Sequence, residues 1–412
     1  MAAFPSTDRP VSEAVLIDLG ASQHLADALE GSVHASVSEI SRDEWNVLYP
    51  SAPHSWDFYR AAERMPARSF SFSAIAIRSG GRLTAAAPLF RVAYRVDAPL
   101  GDGLRKAGDW IERRASSMVV MPVLGLGSPL TDECEIGFAP SLDREGRAAA
   151  FAAIIDTLTR HAAKTGVRVL VLKDVRDRDR PWSEHVLTGA GFSRVPSLPT
   201  ATLELPFDSL DGYLQSLSPK MRSDLRRKQR QASGIWSEVR DSITGVEDEI
   251  EHLYWQTHEH RKASYELFDE VPRGYFRELM RGLDGRAKVL LLHSGDRLVG
   301  FNLFIVERDR IVGKHMGLRY PDARTLNAYF INWLEMVRWC IARRIPAMQV
   351  GQSSYVLKAR LGCTLERSWI YARHTGAFRG PLFRLLAPLA AFDRFDPDLR
   401  ALGTDAPYAP RM

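Results

Sequence analysis

The chain has 412 residues, 45% hydrophobic and 25% charged, a composition that excludes disordered and fibrous classes and is long enough for two domains of ordinary size. Three scattered cysteines, Cys134, Cys340 and Cys363, exclude a disulfide framework or a cysteine-rich zinc module and point to a reducing, cytoplasmic setting. No run of about eighteen uncharged apolar residues occurs, which excludes a membrane-spanning helix, and the net charge of +5 from 55 basic and 50 acidic side chains is small for the length.

Residues 1–35 are loosely patterned, with no apolar run of signal-peptide length, and predict a loosely ordered start. From Ile40 the text is structured, with a helix pattern around Trp56-Asp57-Phe58-Tyr59 whose aromatic residues read as core. Two apolar runs then flank Ser79-Gly80-Gly81-Arg82, which predicts a β-hairpin. A helix from about Arg147 to Lys164 leads to the strand VRVLVLKDV, a shorter helix and Gly191-Phe192.

The same order returns downstream. Residues 287–307 hold a second hairpin around Ser294-Gly295-Asp296-Arg297-Leu298, matching Ser79-Gly80-Gly81-Arg82-Leu83 at four of five positions. A helix from about Leu326 to Arg343, the strand PAMQVG and a helical YVLKARLG follow. This predicts an α/β protein of two related domains, with tandem copies of one unit. The copies are expected at 36–198 and 199–376, with a boundary near Ser197–Thr202 and a tail at 377–412. The first half carries an extra stretch between hairpin and helix, including residues 109–138, and the second carries inserted helices ahead of its hairpin. Pro381–Phe392 in the tail reads as a packed terminal helix, with peripheral membrane contact as the alternative.

The stretch Leu214–Ala232 stands apart. Ser218-Pro219 is a helix start, and Leu214, Leu217, Met221 and Leu225 form a core-facing stripe. Six cations (Lys220, Arg222, Arg226, Arg227, Lys228, Arg230) less Asp224 give +5, equal to the net charge of the whole chain. Several of them crowd the first turns, where the helix dipole disfavours positive charge, so a phosphate-bearing ligand is expected there. A merely solvated basic face is the alternative.

A strand, then LDGYLQSLSPKMRSDLRRKQRQ, a hairpin and GQSSYVLKARLG resemble the double-GNAT acyltransferases of the FemAB-like superfamily, in the BioF-type or CelD-like branch. The resemblance covers about residues 40–375 and is strongest over Leu210–Gly362. It implies tandem GNAT-like domains and transfer of an acyl group from acetyl-CoA or another acyl-CoA to an amine, in cell-envelope or exopolysaccharide synthesis. Its alternatives are a Fem-type peptidyltransferase using aminoacyl-tRNA and a non-catalytic anion-binding module. The implied acceptor is a small or nucleotide-linked amine, and no metal is implied.

Tyr355 and Lys358, on one face of a short helix after a sheet strand, are the expected catalytic pair, the tyrosine as proton donor and the lysine on a phosphate or the acyl carbonyl. Donor or acceptor contacts are expected from Lys220, Arg222, Arg226, Arg319, Arg324, Gln352 and Arg360, and from Asn302 and His315 on strands. Gly125 and Gly127 are the expected phosphate-cradling turn, although Pro122 stands where the family has Gln or Arg. The matching second-half segment Leu318–Thr325 has no glycine, so Arg319 and Arg324 would bind phosphate by side chain. His258-Glu259-His260 lacks the HExxH spacing of a helical zinc site.

Overall fold

A computed structural model of the chain describes residues 29–50, 54–64, 70–95, 120–232, 234–260, 271, 273–376, 380 and 396–409. The first half runs β1 (Leu29–His34), α1 (Arg42–Leu48), α2 (Trp56–Glu63), β2 (Phe70–Ser79), β3 (Arg82–Arg95), β4 (Val120–Leu126), β5 (Gly137–Phe138), α3 (Arg144–Thr165), β6 (Val169–Arg176), α4 (Arg180–Gly189) and β7 (Ser193–Pro196). The second half begins with β8 (Thr200–Glu204), α5 (Leu210–Ser216), α6 (Pro219–Gln231), β9 (Ile235–Arg240), α7 (Glu247–His260) and α8 (Tyr275–Gly282). It continues with β10 (Ala287–Ser294), β11 (Arg297–Val306), β12 (Ile311–Leu318), α9 (Asp322–Thr325), α10 (Ala328–Ala342), β13 (Ala347–Gln349), α11 (Tyr355–Arg360), β14 (Thr364–Glu366), β15 (Ser368–His374) and α12 (Pro397–Leu402).

Both expected hairpins are present. The first closes on Gly80 and Gly81, whose φ of 54° and 80° meet the demand of a two-residue turn for left-handed backbone at both positions. Helix α3 starts where Asp143 accepts from the Gly146 amide and ends at Gly166, φ 70°, a left-handed cap that glycine tolerates without cost. Its buried stripe, Phe151, Ile154, Ile155 and Leu158, covers β1–β3.

The sheets run β1-β2-β3-β4-β6-β15-β7, with β5 on β3, and β14-β8-β13-β12-β11-β10-β9. In each, four antiparallel strands, β1–β4 and β9–β12, precede a helix and a parallel fifth, β6 on β4 and β13 on β12. The stretch read from sequence as extra therefore contains β4, the counterpart of β12. The second correction concerns the boundary: β15, placed by sequence in the second domain, lies antiparallel between β6 and β7 of the first sheet. Strand β8 lies between β13 and β14 of the second. The first sheet is therefore completed by β15 from the end of the second half, whereas the second sheet, β8 to β14, is built from the second half alone.

One apolar core also spans both lobes, joining Trp45, Phe58 and Phe90 to Tyr275, Phe276 and Phe301. Helices α2 and α8 pack so closely that a Cβ on Gly282 would lie 2.9 Å from the Ala61 Cβ. The other two large cores lie beneath α3 and beneath α10. Residues 396–409 pack on the second lobe through buried Leu399 and a bridge from Leu365 to Tyr408; Pro381–Phe392 lies outside the described residues. No helix among the described residues is long and apolar enough to cross a membrane.

Candidate functional site

Strands β12 and β13 pair only at Ile311↔Met348 and Val312↔Gln349. Beyond these pairs β12 continues to Leu318 while the other chain turns away at Gly351, φ 79°. The two segments carry no ladder bond to each other past that point, the Val350 amide and Gly351 carbonyl pairing instead with Ala201 at 2.9 and 3.2 Å, and Gly313–Met316 on one side and Val350–Gln352 on the other stay half-buried. The β12 edge, which has lost its ladder partner, is a template for an extended ligand with amides of its own.

The first lobe has the same divergence, but it is closed. Strands β4 and β6 pair over Val123–Leu126 and Val169–Leu172, and the connection from Gly127 then folds back into the gap. The Cys134 amide donates to the Asp174 carbonyl at 2.9 Å, and Ser128, Thr131, Glu133 and Glu135 are all buried.

That connection borders the second lobe's opening as well. Lys173 of β6 donates to the Thr131 carbonyl at 2.8 Å and Lys314 of β12 to the Leu130 carbonyl at 2.6 Å, so each lobe supplies one lysine to hold it. Lys314 is the unpaired extra residue of a β-bulge, since Leu303 faces His315 and Phe304 faces Gly313. A bulge re-aims a side chain, here toward the other lobe.

Lys314 Nζ also lies 3.1 Å from His54 Nε2, and His54 Nδ1 lies 3.0 Å from a Glu135 carboxyl oxygen. Glu133 accepts from Arg176 at 2.6 Å and has Arg310 at 3.7 Å. Burial, reinforced by the Glu133 charge, pushes the Glu135 carboxyl up to about 8. Burial brings the Lys314 ammonium down to about 8 and, with Lys314 beside it, holds His54 well below its usual range. Burial alone would raise Glu133, but Arg176 and Arg310 outweigh it and hold this carboxyl below the ordinary value. Strongly shifted groups of opposite type in contact mark functional sites more often than structural ones.

The residues singled out from sequence fall into three groups. Lys358 is buried beneath the wall of the opening, donating to the Val350 carbonyl at 2.5 Å and the Gly351 carbonyl at 3.2 Å. Gln352 lies on that wall and donates to the Leu198 carbonyl at 2.8 Å. Tyr355 shares the inward face of α11 with Lys358, but it is fully buried and its hydroxyl donates to the Pro199 carbonyl at 2.9 Å. The tyrosine thus ties α11 to the start of β8, and a free phenol facing solvent is not what the structure contains. His315 lies on β12 within 5.2 to 5.5 Å of the rings of Tyr254, Tyr275 and Phe276.

The expected phosphate contacts divide. Gly125 lies inside β4, where a Cβ would stand 2.3 Å from the Phe90 ring, and Gly127 turns the chain into the buried connection. No helix opens there, so this pair is corrected from a phosphate cradle to a packing glycine and a turn glycine. Arg319 is also corrected, because its guanidinium is held by the Leu298 carbonyl at 2.7 Å and by Glu249 at 3.2 Å. Asn302 points to α10 and donates to Asn332 at 2.8 Å. Arg324 and Arg360 are exposed.

Helix α6 forms as its sequence directs, with the Ser218 hydroxyl accepting from the Met221 amide, Pro219 in the first turn, and Met221 and Leu225 buried. Burying a leucine contributes about 2 kcal/mol. The cations are partly answered from within: Arg226 pairs with Asp211 at 2.5 Å, and Asp224 takes both Arg227 and Lys228. Lys228 also sits 4.2 Å from the Phe330 ring centre in the first turns of α10. Arg222 donates to the Gln215 carbonyl, and no ion pair is found for Lys220, Arg222 or Arg230 among the described residues.

Sequence reasoning passed over His54, Glu135 and Lys314. A signal was present for two of them: acidic residues in LTDECEIGF and a lysine inside the apolar strand IVGKHMGL are costly unless partnered.

Two sheets, each with a diverging parallel pair and a shared helix-sheet order, define a protein built from two GNAT-type units. The family described as an acetyltransferase (GNAT) domain matches residues 219–358, which run from α6 to α11. No curated protein matches the chain. Among solved structures, FemX superposes with a TM-score of 0.55 at 12% identity, over 87% of this chain and 100% of that one. The C-terminal DUF2156 domain of a putative lysylphosphatidylglycerol synthetase from Agrobacterium fabrum gives 0.51 at 12% identity, over 89% and 99%. The chain has the FemAB-like double-GNAT fold, and residues 219–358 of its second lobe are similar to the acetyltransferase (GNAT) domain family.

Proposed function

We propose that the protein is an N-acyltransferase that takes its acyl group from an acyl-CoA thioester. The second lobe holds the extended donor arm between β12 and the Val350–Gln352 connection, where the β12 edge has no ladder partner. The amine approaches from the interlobe side, past Leu130–Asp132. Lys358 keeps Val350 and Gly351 in place, and the exposed cations Arg324, Lys220 and Arg230, with half-buried Arg222, offer charge to the donor's phosphates. The acceptor nitrogen attacks the carbonyl carbon, the C–N bond forms, the C–S bond breaks and the thiolate leaves.

The observation that carries this reading is the contrast between the half-buried opening of the second lobe and the filled one of the first. Its test is ligand linkage: acetyl-CoA at one hundred times its Kd should raise stability by about 2.7 kcal/mol, seen as a higher Tm. A second reading, aminoacyl-tRNA as donor, is favoured by the α6 cations that lack carboxylate partners. No Tm change with any CoA ester, together with RNA binding that weakens steeply with salt, selects it over the first.

A further inference from the structure

We propose that Lys314, His54 and Glu135 form a proton relay between the lobes, with Lys314 as the base that takes the proton from the attacking amine. This rests on the N-acyltransferase reading, since it supplies the proton acceptor which that reaction needs.

The geometry is continuous. Lys314 stands on the bulge of β12 at the edge of the opening, half-buried, with Leu130 and His54 taking two of its ammonium's three hydrogens. The imidazole, 1% exposed, bridges to Glu135. The 3.0 Å approach of His54 Nδ1 is a close contact without hydrogen-bond alignment, and neither Glu135 oxygen has a hydrogen-bond partner among the described residues. A buried carboxyl left with one histidine is expensive as structure alone.

Two proton arrangements of the chain hold the same number of protons. In one, Glu135 is a neutral acid donating to Nδ1, Nε2 carries its hydrogen and Lys314 is a neutral amine. In the other, Glu135 is a carboxylate, Nδ1 carries the hydrogen and Lys314 is an ammonium. Both end groups are shifted to about 8, and in the first arrangement Lys314 is a neutral amine whose one lone pair takes either the Nε2 hydrogen or the proton of the attacking amine. In the reaction, Lys314 Nζ accepts the proton as the C–N bond forms, and returns it to the leaving thiolate or to water.

Asp132 and Glu133 on the connection raise Lys314, and Lys173 of β6 lowers it. Arg176 of β6 and Arg310 beside β12 lower Glu135. Burial prevails over these at both ends.

Two measurements decide the proposal. Carbon-13 lysine NMR on the full chain should show one signal titrating near 8, absent in Lys314→Met and displaced in Glu135→Gln. A spectrum in which no lysine titrates below the ordinary range overturns the relay, whatever the activity. Transfer from acetyl-CoA is then compared for glycinamide and for hydroxylamine, which is largely unprotonated at neutral pH. Lys314→Arg keeps a cation on Leu130 but cannot give up its proton. It should lower kcat with glycinamide by about 10²- to 10⁴-fold, with little change in KM, and lower the hydroxylamine rate by under about tenfold. His54→Gln and Glu135→Gln should shift the pH profile with glycinamide. Equal losses with both nucleophiles and an unmoved pH profile overturn the role as base. Wild-type protein that transfers to neither nucleophile while the depressed lysine is present overturns the acyl-CoA reading and leaves the relay to the titration.

Discussion

The two lobes repeat one unit strand for strand, yet at the same place, just past the parallel pair, one is filled and the other open. In the first, residues 127–136 occupy the divergence and bury Ser128, Thr131, Glu133 and Glu135. In the second, Gly313–Met316 and Val350–Gln352 keep part of their surface in solvent. The connection that closes one gap forms a wall of the other, its carbonyls held by a lysine from each lobe and its Glu133 carboxylate by Arg176 and Arg310. A duplicated unit can thus give up one binding site to furnish groups for the remaining one.

The largest effect is expected where this wall is anchored. Glu133→Ala takes the nearest carboxylate from half-buried Arg176, which keeps Asp179 at 3.0 Å, and from Arg310, and should cost about 3 kcal/mol, measured by urea unfolding. Replacing a surface carboxylate such as Asp156, which pairs only with exposed Arg160, should change stability by under about 0.5 kcal/mol.

Next is the dependence on pH. The folded Glu135 carboxyl is raised to about 8 from 4.5, so the folded state holds the extra proton and stability falls as pH rises toward 8. Neutral His54 opposes this only below its ordinary 6.5, where the unfolded chain takes up the proton. Between 6.5 and 8 the glutamate should therefore dominate, and Glu135→Gln should flatten the fall in Tm across that window. An unchanged slope would mean that Glu135 is ionised in the folded protein.

Smaller in stability but decisive for the comparison is Gly313→Val. Its Cβ would come 3.3 Å from the Gln349 carbonyl, narrowing the opening at its root, and it should abolish the Tm response to acetyl-CoA while the protein stays folded. The smallest effect on folding, under about 0.5 kcal/mol, is expected for Lys220, Arg222 and Arg230 changed together to Gln. Affinity for a polyanionic donor should drop and its salt dependence become shallower; an unaltered salt slope would assign α6 to solvent.

Much of the architecture is legible in the chain because it is local. The Gly-containing turns of the two hairpins, the Ser218-Pro219 start of α6 and the stripe on α3 each state their structure within a few residues. The placement of β15 is not local: SWIYARH reads as a strand wherever it pairs, and nothing near Ser368 tells which sheet it enters. The relay is hidden for the same reason, since His54, Glu135 and Lys314 meet only once both lobes have formed. Gly125 misled because a glycine packed under Phe90 and a glycine needed for a turn look alike in sequence.

The central claim is that the second lobe, and not the first, receives the acyl donor. Amide hydrogen exchange with and without acetyl-CoA tests it most directly. Slowed exchange confined to residues 313–318 and 350–352, with 169–176 unchanged, is the expected result. Protection along 169–176 with none at 313–318 would contradict it.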